Sequence, residues 1–342
     1  MIKKFIRRIL GAASKAGKGQ TPVVLGPAQH GIDPANVTAN AVRVTHTLQQ
    51  AGFKAFIVGG AVRDLLLGIK PKDFDVATNA TPEQVKRLFR RAFIIGRRFQ
   101  IVHVMFGQDL IEVTTFRGSA TDGPPKDEHG RVLRDNTFGS QQEDAVRRDF
   151  TINAMYYDPA DQTVLDYHGG MQDMRNKTLR IIGVAEARFR EDPVRLLRVV
   201  RFAAKLKFKI DPATREPMSV MAPLINNVPI ARVFDEMMKL LMSGHALACL
   251  RQLRHEGLHH GLLPLLDVVL EQPLGEKFVT LALGNTDERI RQGKPVSPGF
   301  LFASLLWHQV LEKWQAYQAA GESPIAALHL AADEVLDDQV DK

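Results

Sequence analysis

Two aspartates flank a phenylalanine at Asp73-Phe74-Asp75. In an extended chain, residues two apart face the same side, so both carboxylates converge while Phe74 turns toward a core. Such a pair can hold two Mg²⁺ ions, one activating an attacking hydroxyl, the other neutralising a triphosphate and its leaving group. The triplet alone also serves as a turn device, so its surroundings decide. Fourteen residues upstream, Gly59-Gly60 closes an apolar run and precedes a short helix bearing Arg63 and Asp64. Glycines there let backbone N–H groups approach a phosphate, a helix start favours an anion, and Arg63 can bond two phosphate oxygens. A plain strand–helix turn accounts for the glycines but not for the charged pair behind them. The spacing matches neither a P-loop nor a dinucleotide-binding fingerprint.

Further along, Glu112 shares a strand face with Leu110 and Thr114 in LIEVTTFR. It can complete a carboxylate site or act as base for a hydroxyl, or it can pair with Arg117 as an outward strand acid. In Arg147-Arg148-Asp149-Phe150-Thr151-Ile152-Asn153, Arg148 can hold triphosphate oxygens with Asp149 and Asn153 orienting it or a ribose. An ordinary salt bridge at a solvated helix start is the alternative. In Glu191-Asp192-Pro193-Val194-Arg195-Leu196-Leu197-Arg198, Asp192 suits an N-cap and Pro193 the first helical residue, with Arg195 and Arg198 on one face. An Asp acceptor beside an Arg donor fits the Watson–Crick edge of adenine or cytosine, but a capped amphipathic helix with surface arginines has the same pattern. His255, His259 and His260 read as surface histidines, and Trp307 and Trp314 as packing residues.

The elements that must position these groups alternate at first. A helix is expected over 35–50, a buried strand in FKAFIVGG, a short helix in AVRDLLLG and a strand in KPKDFDVATNA. Thr81-Pro82-Glu83 opens another helix, followed by strands QIVHVMFG and LIEVTTFRG and a polar loop over 119–136. From about Glu143 helix dominates. A strand-and-helix head before an all-helical remainder is an α+β layout with separable domains, as expected for 342 residues.

The net charge is +7, and six of those charges come from Lys3, Lys4, Arg7, Arg8, Lys15 and Lys18, with no acid among the first twenty residues. The basic pI therefore reports an arm rather than a basic body. Ile2, Phe5, Ile6, Ile9 and Leu10 give that arm an apolar stripe too short to span a membrane. It reads as a solvated tail, an RNA-contacting arm or a helix lying on a membrane surface. Residues 12–35 read as a linker. A single cysteine, Cys249, excludes an intrachain disulfide framework and makes the cytoplasm the default compartment.

Together these segments resemble the class II nucleotidyltransferases, the superfamily of bacterial poly(A) polymerases and CCA-adding enzymes. IVGGAVRDLLLG, the DFD of Asp73 to Asp75, IEVTTFRG, RRDFTINAMYYD and FREDPVRLLRVVRFAAKL carry the resemblance in that order. It implies a polymerase-β-like head with a mixed sheet over 36–165, a helical neck over 166–240 and a helical body and tail over 241–342. It further implies that Gly60 and Arg63 bind triphosphate, that Asp73 and Asp75 bind two Mg²⁺ ions, and that Arg148, Asp192, Arg195 and Arg198 recognise the incoming nucleotide. Asp149 is either an acid needed for activity or a structural partner. IIGRRFQIVHV, residues 94–104, resembles the poly(A) polymerase branch. The activity so implied is template-independent addition of AMP from ATP to RNA 3′ ends, promoting RNA decay, with RNA-decay proteins as partners. A CCA-adding enzyme and a non-catalytic RNA-binding protein on the same fold are the alternatives. Where the polymerases continue into a basic region this chain stops at acidic DEVLDDQVDK, which leaves a shortened chain or a weaker hold on RNA open.

Overall fold

The computed structural model describes residues 21–96, 100–118, 137–258 and 273–340. It divides into two compact units, Met1–Gly183 and Val184–Lys342. The arm over 1–20, the basic pair Arg97-Arg98, the polar loop over 119–136 and His259-His260 lie outside the described residues.

The first unit is built on an eight-stranded sheet: β1 Val23–Leu25, β2 Ala55–Val58, β3 Phe74–Thr78, β4 Ala92–Ile95, β5 Ile101–Phe106, β6 Asp109–Thr115, β7 Met155–Asp158 and β8 Thr163–Asp166. Their order is β1-β8-β7-β2-β3-β6-β5-β4. β3 and β6 run parallel, while β2 pairs antiparallel with both β3 and β7. On one face Ile57, Val76, Val113 and Val102 form a lateral row, each no more than 1% exposed. That face is covered by helix α1, Ala39–Gln50, through Ala41, Val44 and Leu48, and by helix α3, Pro82–Leu88. Helix α2, Gly60–Leu66, lies between β2 and β3 in sequence. The opposite face is apolar toward β7, where Phe56, Val58, Ala77, Phe116 and Tyr156 pack with Ala145 of helix α4, Gln141–Arg147. Toward β5 the same face turns polar. The α+β class holds, with a mixed-sheet head and a helical second unit.

Four expectations are corrected. Residues 21–35 are not linker: β1 pairs with β8, Pro27–His30 is a helical turn, and Pro34–Asn36 is a 3₁₀ turn capped by Asp33. A three-residue edge strand among prolines and glycines leaves too little alternation to read. Helix α1 begins at Ala39 rather than 35, because the Thr38 side chain accepts from the Ala41 N–H and fixes the start. Strands β7 and β8 follow Glu143, where the sequence pattern reads as dominated by helix. Tyr156 and Tyr157 are both no more than 1% exposed, so β7 lacks the alternation that marks a half-buried strand. Residues 166–183 belong to the first unit, since Phe150 bridges Ile181 and the Ile182 N–H donates to Asp149 O at 2.9 Å.

Helix α5, Gly170–Asn176, begins against the 3₁₀ turn Thr151–Asn153. A Cβ on Gly170 would lie 2.3 Å from the Thr151 carbonyl oxygen, a backbone atom that cannot swing aside. Gly170→Ala is therefore expected to lower the unfolding free energy by about 1–3 kcal/mol, as an overpacked core does. A urea midpoint unchanged from the parent would show that this approach is slack.

The second unit is helical: α6 Ala185–Glu191, α7 Val194–Leu206, α8 Ile230–Leu241, α9 Ala246–His255, α10 Pro273–Arg291, α11 Pro298–Ala319 and α12 Pro324–Val340. α7 contributes Leu196, Leu197, Val199 and Val200 to the core, each at most 1% exposed, and packs on α8 and α9. Asp287 of α10 caps α9 by accepting from the Ala246 and Leu247 N–H groups. Trp307 and Trp314 lie near each other, and the Trp314 indole donates to Pro324 O. Among the described residues no helix is long and apolar enough to cross a membrane.

Candidate active site

β2 ends on Val58, and Gly59 then takes φ 71° and ψ −132°, a backbone open to glycine and strained for other residues. That turn carries the chain off the sheet beside Asp75, the register partner of Val58. A methyl on Gly59 would sit 3.5 Å from Arg148 Nη1 and 3.8 Å from Asp75 Oδ2, so the turn is flanked by a cation and an acid. Gly60 opens α2 next to the Arg63 guanidinium.

Asp75 and Glu112 are register partners on parallel β3 and β6, and Glu112 faces His103 on β5. These three side chains form one lateral row on the polar part of the sheet. Asp73 stands in a bend just before β3 rather than on the strand, exposed, while Phe74 is 3% exposed in the core. Burial, then the charge of Glu112, pushes the Asp75 carboxyl up to about 6 against the pull of Arg148, with Asp73 adding to the rise. An acid destabilised by burial and by neighbouring acids at the start of a central strand is what a cation would relieve.

Among the described residues no three His, Cys, Asp or Glu side chains are gathered into a metal-ligating group. Mg²⁺ does not require one, because it takes one or two carboxylates and completes its shell with phosphate oxygens and water. The hard oxygen donors of Asp73 and Asp75 suit such an ion, and the Asp75 carboxyl, raised by burial first and then by the charges of Glu112 and Asp73, is the group it would neutralise.

Arg148 is held from behind. Its Nε and Nη2 donate to Asp144 Oδ2 at 3.2 and 3.1 Å, its Nη1 to Asn153 O at 3.4 Å, and its guanidinium lies 5.2 Å from the Tyr156 ring centroid. The Tyr156 hydroxyl donates to the same Asp144 oxygen at 2.6 Å, and burial with that carboxylate holds it well above its ordinary range. Arg63 is 4% exposed and donates to Asp64 and, at 2.9 Å, to Asn153 Oδ1. Asn153 passes the link on to Asp149 Oδ1, which also accepts from the Phe150 N–H at 2.7 Å. The structure thus gathers Gly59, Gly60, Asp75, Glu112 and Arg148 along one polar strip, with Arg63, Asn153 and Asp149 as a brace at the 3₁₀ turn.

In the second unit Asp192 is not the N-cap of α7. It terminates α6, its N–H donating to Arg188 O, and α7 starts at Val194 with no side-chain cap. With only Asp192 and Pro193 between the helices, the extended backbone of Asp192 (φ −149°, ψ 93°) sends its carboxylate instead to Arg232 Nη2 at 3.0 and 3.1 Å. Arg195 donates to Glu191 Oε2 at 2.7 Å and to Arg188 O at 2.8 Å. Arg198 and Arg201 converge on Glu236, 5% exposed, together with Lys239. His255 sits against Arg215 and Glu256.

Sequence reasoning does not single out Asp144, Tyr156, His103, Arg232 or Glu236. Asp144 stands four residues before Arg148 on a helix, a spacing that signals a pair. Tyr156 meets Asp144 and Arg148 only because the chain turns back from the helix into β7, His103 depends on strand register, and Arg232 and Glu236 on contacts about 40 residues away, as for Arg232 and Asp192.

Family comparison agrees with this architecture. Residues 55–180 match the model of the poly A polymerase head domain, and residues 207–270 match a probable RNA- and SrmB-binding site of polymerase A. Poly(A) polymerase I of Salmonella typhi is 46% identical over 98% of this chain and 76% of its own length, and that of Escherichia coli O6:H1 is 45% identical over the same shares. The Bacillus stearothermophilus CCA-adding enzyme, solved with CTP, is 28% identical with TM-score 0.56, covering 87% of this chain and 82% of that one. With similarity along nearly the whole chain on the polymerase side and a shared fold on the tRNA side, the chain belongs to the bacterial poly(A) polymerase I family of nucleotidyltransferases.

Proposed function

We propose that this protein adds AMP from ATP to RNA 3′ ends without a template. The observation that carries the mechanism is the convergence of Arg148 and Gly59 with Asp75, whose strand neighbour is Glu112. Arg148, pre-set by Asp144 and Tyr156, holds triphosphate oxygens over the Gly59-Gly60 turn, a cradle organised before substrate arrives. Asp73 and Asp75 would hold Mg²⁺, which would supply charge neutralisation at the triphosphate. Glu112 faces that hydroxyl and accepts or steers its proton, and the α-phosphate is attacked in line as pyrophosphate leaves.

Asp192 and Arg195 supply the acceptor and donor that read an adenine edge, with Arg232 and Glu191 fixing their orientation. The cations of residues 1–20 suit an RNA backbone. The reading places the protein in the cytoplasm, tailing RNA ahead of its decay.

Extension of a labelled RNA with Mg²⁺ and each nucleotide supplied singly tests it. Long products with ATP alone are expected. A short product that needs CTP and a tRNA-like end would move the chain to the CCA-adding branch, and no incorporation of any nucleotide would sink the enzymatic reading.

A further inference from the structure

The polar row across β3, β6 and β5 ends in a side chain that no step of nucleotide transfer employs. His103 on β5 is the register partner of Glu112, on the side away from Asp75, and His103 Nε2 lies 3.5 Å from Glu112 Oε1. That nitrogen is shielded from solvent and has no hydrogen-bond partner. A buried ring nitrogen without a partner costs free energy, and 3.5 Å is too long to satisfy it. Glu112 itself is 43% exposed and stands beside Asp75, whose charge repels it. Left alone, such a side chain would swing into water. Catalytic hydrogen bonds that are long without substrate commonly close when it binds.

The polarity of the row says what the contact serves. Arg148 and Gly59 mark the triphosphate side of Asp75, next to β2. An in-line displacement puts the attacking hydroxyl opposite the leaving pyrophosphate, hence toward β6 and β5. Adjacent strands lie about 4.8 Å apart, so His103 is the next polar group beyond Glu112 on the hydroxyl's side.

We infer that His103 is a positioning residue for the acceptor step, its Nε2–H holding one oxygen of Glu112 so that the other faces the RNA 3′-hydroxyl. This rests on Glu112 serving that hydroxyl, as proposed for the reaction.

Steady-state extension of a 3′-hydroxyl RNA by the full chain, with ATP and Mg²⁺, tests both. His103→Leu removes the donor at similar bulk and is expected to lower kcat roughly 10- to 100-fold, as loss of an orienting partner does, with KM for ATP unchanged. His103→Gln, whose amide reaches as far as Nε2, should recover most of that loss, whereas His103→Asn, one bond shorter, should not. The Gln–Asn comparison stands even where the leucine variant folds poorly. In a Glu112→Gln background, itself slow, His103→Leu should cost little more. Histidine-selective ¹⁵N spectra of metal-free protein add a readout without turnover, since the His103 signal should move on Glu112→Gln.

If Glu112→Gln keeps the parent kcat, the role given to Glu112 falls and the proposal with it. If Glu112→Gln is slow but His103→Leu matches the parent, or Gln and Asn behave alike, or the ¹⁵N signal stays put, the role of Glu112 survives and that of His103 is overturned.

Discussion

Asp75→Asn is expected to stabilise the metal-free protein while removing nucleotide addition. The folded state raises the Asp75 carboxyl from 3.8 to about 6, through burial first and then the charges of Glu112 and Asp73. A raised carboxyl binds its proton more tightly folded than unfolded. Its stabilising contribution is therefore complete below pH 3.8 and is lost as pH climbs through about 6. At neutral pH the ionised carboxylate opposes folding by about 3 kcal/mol at the upper bound, and about 1–2 once solvent reaching its partly exposed oxygens is allowed for. Asparagine keeps the shape and deletes the charge, so its urea midpoint should rise above the parent's at pH 7. The difference should shrink as pH is brought down toward 4. Activity should fall on the order of 10²–10³-fold or further, because a neutral amide cannot replace the anionic donor at the reacting phosphate. A variant that is both active and no more stable than the parent would remove Asp75 from the centre of the site.

Which of these groups can be read from the sequence depends on how far away each one's partner lies. DFD is legible because its chemistry is written in neighbouring residues, and the Gly59-Gly60 turn because glycine at the end of an apolar run is a statement about the backbone. Asp192 is legible as a motif member but not as an ion-pair partner. Whether its side chain caps the helix that opens at Val194 or turns to a cation is decided elsewhere in the chain. The carboxylate is drawn to Arg232, 40 residues along, and no local pattern announces that partner. β7 is hidden by burial on both faces, and β1 by its brevity. His103 cannot be tied to Glu112 without the β5–β6 register, because a strand sequence gives the face of a residue and not its neighbour across the ladder.

Asp144 carries the largest expected loss of stability. It is 7% exposed, and its carboxylate accepts from Arg148 through two nitrogens, from the Tyr156 hydroxyl at 2.6 Å and from the Arg117 N–H at 3.2 Å. Asp144→Ala takes the carboxylate away from a guanidinium whose side chain is only 21% exposed and from a fully buried tyrosine. Removing one partner of a buried ion pair costs about 3–5 kcal/mol, because the remaining charge keeps its desolvation penalty. Tyr156→Phe deletes the donor to Asp144 and the acceptor that Arg148 Nε reaches at 3.3 Å but leaves the Asp144–Arg148 pair intact, so it should cost only about 1–2 kcal/mol. The two variants should also separate in function. Without Asp144 the guanidinium loses the brace that aims it past Gly59 toward Asp75, and KM for ATP should rise. With Tyr156→Phe that brace persists, and KM should stay near the parent value. Combining Asp144→Ala with Arg148→Ala should cost clearly less than the sum of the single losses, since no charge is then left without its partner. Strict additivity in urea titrations of the four proteins would mean that Asp144 acts through the Arg117 backbone at the end of β6 rather than through Arg148.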